Sequence, residues 1–63
     1  MTRYILTYTA TTSRGNFNRS EEIEAADQTE ADAVGQARIE ALRYKALLGG
    51  RRDQFSLIDV YSL

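Results

Sequence analysis

Residues 3–12, RYILTYTATT, are dominated by β-branched and aromatic types and carry no charge after Arg3, which is the composition of a strand. This run sets the sheet around which the rest of the chain is arranged. Strand alternation puts Tyr4, Leu6, Tyr8 and Ala10 on one side and Ile5, Thr7, Thr9 and Thr11 on the other, and the tyrosine side is the better core face. Gly15 and Asn16 tolerate positive φ and supply turn chemistry. A second strand is expected over roughly 18–26, NRSEEIEAA, with Ile23 and Ala25 inward and Glu22 and Glu24 toward water.

A helix follows. Thr29 reads as its N-cap with Asp32 three residues on, and Asp27, Glu30 and Asp32 suit the positive end of its dipole. Gly49 and Gly50 suit its C-terminal cap. On a helical wheel, Ala33, Val34, Ala37, Ala41, Tyr44, Leu47 and Leu48 form one apolar arc interrupted only by Glu40, and this arc is the expected packing face. A shorter stripe of Ala31, Gly35, Ile39, Leu42 and Ala46 lies elsewhere on the wheel. Ile39 and Leu42 there are candidates for association, the alternative being that the stripe covers sheet edges. The third strand, 54–62, QFSLIDVYS, is apolar on both sides, with Phe55, Leu57 and Tyr61 against Ile58 and Val60. Which side faces the helix is left open, and Ile5, Ile58 and Val60 are the candidate association surface on the open sheet face.

The element order favours an α+β fold: a three-stranded antiparallel sheet of order 2-1-3 with one helix packed on one face, ββαβ, filling residues 1–63 as a single domain. At 63 residues the surface scaling rules give roughly 4,100 Å² folded against about 10,300 Å² extended, so that about 60% is buried. That is marginal for a lone domain. Disulfides and the commonest zinc ligands are ruled out because the chain has no Cys and no His, which leaves oligomerisation or partner binding as the expected support.

Net charge is −1, from 8 basic and 9 acidic residues, so no global field recruits nucleic acid or anionic membrane. Met1 is followed by no apolar segment of signal-peptide type and no run approaches a membrane span, so a soluble, cytoplasmic protein is expected. Nucleophilic arrangements of the Ser-His-Asp or Cys-His type cannot be built, and GGRR lacks the spacing of a phosphate-binding loop. Glu22 and Glu24, about 7 Å apart by strand rise, read as acids that protect an edge strand from aggregation. No enzyme activity, metal or cofactor is expected.

Tracing the chain through this topology brings the SRGNFNRS hairpin and the GGRRDQ loop to one end. Arg14, Arg19, Arg51 and Arg52 would converge there with Asn16, Phe17 and Asn18, and Asp27, Glu30 and Asp32 would lie at the opposite pole. An aromatic among planar guanidinium and amide groups suits an acidic protein groove or a nucleic-acid base. Cations after a helix C-terminus also have a purely structural use in offsetting its dipole.

The long hairpin, then Ile23-Glu24-Ala25, a short polar step, an alanine-rich helix and a further strand resemble the layout of small phage-encoded proteins, some anti-CRISPR proteins among them. The resemblance implies a non-enzymatic inhibitor that occupies a surface of a larger host complex. Three partners follow from the residues: a larger protein or complex, docked by the arginine pole, the open sheet face or strand addition at the apolar edge of strand 3; nucleic acid, held by the arginines; or a second copy of the chain, packed on the stripe of Ile39 and Leu42. No membrane partner is expected.

Overall fold

The computed structural model describes all residues, 1–63, as two long strands, a helix and a third strand: β1 Thr2–Thr12, β2 Gly15–Ala25, α1 Gln28–Leu48 and β3 Gln54–Ser62. The sheet is antiparallel with order β2-β1-β3, and α1 lies across one face. The expected α+β architecture and strand order are those observed.

The hairpin is tighter than its composition suggests. Thr12 pairs with Gly15, so only Ser13 and Arg14 form the turn and β2 starts three residues before the expected boundary. Neither turn residue has positive φ, and Gly15 at φ 123° takes it instead. Most of the SRGNFNRS stretch is therefore strand.

Asp27, not Thr29, caps the helix. Its backbone is extended (φ −153°, ψ 179°), and its Oδ1 accepts from the Glu30 N–H at 2.8 Å. Glu30 Oε1 in turn accepts from the Ala26 N–H at 3.3 Å, so an acid three residues after the cap ties down the entering chain, a variant of the capping box. At the other end Gly50 (φ 74°) donates to the Leu47 carbonyl at 3.0 Å and Arg51 to the Ala46 carbonyl at 2.9 Å, the paired bonds of a Schellman cap.

The helix meets the sheet through the opposite face from the one its apolar residues predict. Ala31, Gly35, Ile39 and Ala46 are the buried helix residues, and Leu42 is half-buried against the core. Tyr44, Leu47 and Leu48 are 65%, 66% and 72% exposed. Small residues win because they let the helix backbone approach the sheet: an added Cβ on Gly35 would stand 3.0 Å from Val60 Cγ2 and 3.4 Å from Leu6 Cδ1. Ile39, 1% exposed, and Leu42 are thus removed from the candidate association surface.

A bulge in β3 explains why that strand reads as apolar on both sides. Thr7 pairs with Asp59 and Tyr8 with Leu57, leaving Ile58 as the extra residue, and an unpaired residue inverts the inward-outward alternation beyond it. Phe55 and Leu57 therefore point inward before the bulge and Val60 after it. Val60 joins Tyr4, Leu6, Tyr8, Ala25, Ala31 and Ile39 in the core and leaves the association surface. Ile58 stays exposed, and Ile5 is half-buried across from Tyr61 on the open face.

Only ten of 63 residues are buried, and the accessible surface is 4558 Å², about 450 Å² more than the scaling rule gives for this mass. The molecule measures 35 × 20 × 13 Å. No helix is long and apolar enough to cross a membrane.

Candidate functional site

β1 and β2 carry the hairpin to the end of the molecule where the Schellman cap releases the chain into β3. The two loops meet there. Thr11, Thr12 and Ser13 of the hairpin and Gly50–Gln54 of the loop line a cleft of about 570 Å³. A second cleft of about 630 Å³ is bounded by Arg14, Phe17, Arg19, Arg51, Asp53 and Phe55. Arg14, Phe17, Arg19, Arg51 and Arg52 are all exposed; Arg14, Arg19 and Arg51 share the second cleft, while Arg52 lines the first with Arg51.

Strand alternation divides the hairpin residues. Phe17 pairs with Ala10, which is buried on the same face of β1 as Tyr4, Leu6 and Tyr8, so Phe17 and Arg19 lie on the helix side of the sheet. Asn16 and Asn18, one residue out of phase, lie on the open face, where the Thr9 hydroxyl donates to Asn18 Oδ1 at 3.1 Å. These two asparagines do not join the arginines and leave the candidate pole.

The charges of the pole are unequal. Arg51 Nε is 3.3 Å from Asp53 Oδ2, whereas no ion pair engages Arg14, Arg19 or Arg52. Asp53 lines both clefts and a third beside Arg43, Leu47 and Arg52. Its side chain is mostly buried, and it is the one acid at this end. Sequence reasoning passed over it, although an Asp two residues after Arg51 in a short loop is a legible sign that one guanidinium is neutralised. Arg43 was missed as well. It donates from Nη2 to the Phe55 carbonyl at 2.8 Å, while Gln28 Nε2 donates to the Val60 carbonyl at 2.9 Å, so helix side chains hold two carbonyls of the edge strand β3.

Beneath Arg19 lies a short polar chain. Tyr8 donates its hydroxyl to Glu21 Oε2 at 3.0 Å, and Arg38 Nε donates to Glu21 Oε1 at 2.9 Å. Burial, with the hydrogen bond to Glu21 and its negative charge, raises the Tyr8 pKa above its ordinary value, against smaller opposing effects of Arg19 and Arg38. A tyrosine held neutral is a structural donor and does no acid–base work near neutral pH.

The open face is largely polar, with Thr7, Thr9 and Thr11 beside Asn16, Asn18, Ser20, Glu22 and Glu24. Glu22 is paired with Arg3 at 3.2 Å. Its apolar part reduces to Ile5, Ile58 and Tyr61. No group of three or more His, Cys, Asp or Glu residues is placed to hold a metal ion. What the arginine pole offers chemically is recognition of an anion, by guanidinium groups that bind carboxylate or phosphate and by an aromatic ring beside them.

The chain matches no protein-family profile, no curated protein and no solved structure.

Proposed function

We propose that this chain is a non-enzymatic interaction protein that seats its arginine pole on an acidic surface of a larger protein. The observation that carries the reading is the cleft between hairpin and loop, where Arg14 and Arg19 have no ion-pair partner and Phe17 stands 42% exposed beside them. Arginine and aromatic residues around a depression are the composition of interaction hot spots. Phe17 supplies apolar area, and the guanidinium groups supply bidentate, directional contacts with carboxylates. Occupation of a host surface, the mode implied by the likeness to small phage-encoded inhibitors, requires nothing more.

A protein partner fits better than nucleic acid because the positive patch is small and interrupted. Asp53 neutralises Arg51 at its centre, and Glu21 follows two residues after Arg19 on the same face of β2. A phosphate backbone running along the molecule would meet these acids within a few residues, whereas a short acidic segment of a protein would not.

The test is affinity capture from source-cell lysate, with one half nuclease-treated, set beside a variant carrying Arg14→Glu and Arg19→Glu. A protein retained after nuclease and lost with the variant supports the reading. Nucleic acid recovered in its place, with an affinity whose salt dependence weakens by about one unit of slope for each arginine removed, would replace it.

A further inference from the structure

We propose that the chain forms an antiparallel homodimer through the outward face of α1, a pairing separate from the arginine-pole reading above. On the 100° wheel the exposed arc of Ala33, Ala37, Ala41, Tyr44 and Leu48 is centred opposite the buried row of Ala31, Gly35, Ile39 and Ala46. The most apolar stripe of the helix thus points away from the sheet. It also belongs to a molecule with more surface than its mass predicts.

Size and charge along this face identify the occupant as a second copy with its helix reversed. The first half of the face is small, with Ala33, Val34 and Ala37, and the second is bulky, with Tyr44, Leu47 and Leu48. Reversal lays the bulky half of each helix over the small half of the other, the large-against-small complementarity that fills an interface. A parallel pair would set Tyr44 on Tyr44 and Leu48 on Leu48 and leave the alanines apart. Charge runs the same way: Asp27 and Glu30 stand at the start of α1, and Lys45 and Arg52 at or beyond its end. Reversal brings each acidic end toward the partner's basic end and opposes the two helix dipoles.

The flanks permit this arrangement. Arg38 and Lys45 share one flank and would approach their counterparts, but Arg38 is already held by Glu21 at 2.9 Å. On the other flank Glu40 is held by Arg43 at 3.2 Å. The face runs about 23 Å from Ala33 to Leu48 at 1.5 Å per residue, which makes a small interface, so the dimer dissociates on dilution. Its two arginine clefts would lie at opposite ends.

Sedimentation of the full chain from micromolar to millimolar concentration, with Tyr44→Glu and Leu48→Lys variants, tests the proposal. A reversible monomer–dimer equilibrium is expected, weakened about tenfold or more by either substitution, with unchanged circular dichroism because both side chains are exposed. Orientation is read by oxidising a mixture of Val34→Cys and Leu48→Cys chains, since the native chain has no cysteine. Disulfides joining the two different chains are expected. A monomer at millimolar concentration would assign the face to another kind of molecule and overturn the proposal. So would dimers indifferent to both substitutions, or disulfides formed by Leu48→Cys chains alone.

Discussion

Gly35 lies where any side chain would press on Val60: an added Cβ would come 3.0 Å from Val60 Cγ2. This approach sets the height of α1 above the sheet and decides which helix face is buried. Replacing Gly35 by Ala would gain about 1 kcal/mol of helix propensity but overpack a site where such insertions cost about 1–3 kcal/mol. Gly35→Ala is therefore expected to lower stability by about 1 kcal/mol, and Gly35→Leu to prevent folding. Denaturant melts of Gly35→Ala, Val60→Ala and the double variant would show coupling, the double variant being more stable than the sum of the singles.

The polar chain under Arg19 makes stability fall at alkaline pH. With its folded pKa above the unfolded value of 10.0, Tyr8 holds its proton more tightly in the native state. Its contribution is full below pH 10 and is lost as pH rises toward the folded pKa. Chemical denaturation across pH 8–11 should show a decline that Tyr8→Phe flattens. Tyr8→Phe should also cost about 1 kcal/mol at neutral pH by removing the bond to Glu21, and equal alkaline slopes in the two proteins would refute the assignment.

The cap assignment separates two neighbouring substitutions. Asp27→Ala removes the acceptor of the Glu30 N–H and should cost about 1 kcal/mol. Thr29→Ala, at an exposed first-turn position, should change stability by less than about 0.5 kcal/mol. Thermal melts of the two variants decide between them, and the reverse order would restore Thr29 as the cap.

Sheet order, the helix with its C-terminal end, and the meeting of hairpin and loop were legible in the sequence because they rest on strong local signals: the uncharged run of β1, the acidic first turn, the glycine pair and the short connections. The helix face was not legible, since apolar bulk ranks Tyr44 and Leu48 above Gly35 and Ala31, while close approach to a sheet rewards the reverse. Strand 3 was ambiguous for a different reason. A bulge at Ile58 leaves no mark in composition, yet it moves Val60 to the side opposite the one that strict alternation gives. In the hairpin, placing Gly15 and Asn16 in the turn obscured the pairing of Thr12 with Gly15 and so the division of Asn16 and Asn18 from Phe17 and Arg19.

The bulge gives the sharpest contrast between adjacent apolar positions. Ile58 is 57% exposed and Val60 only 7%, although both are β-branched residues of one strand and alternation would place them on one face. A lysine at 58 can extend into water and should change stability by less than about 0.5 kcal/mol. At 60 the ammonium would be forced beneath the helix against Leu6 and Gly35 with no anionic partner, a cost of several kcal/mol in a protein of marginal core. Ile58→Lys is expected to give a native circular dichroism spectrum and melting profile, and Val60→Lys an unfolded chain. A folded Val60→Lys protein would mean that β3 pairs without the bulge, with Ile58 and Val60 together on the open face and the inward alternation running unbroken through Phe55, Leu57, Asp59 and Tyr61.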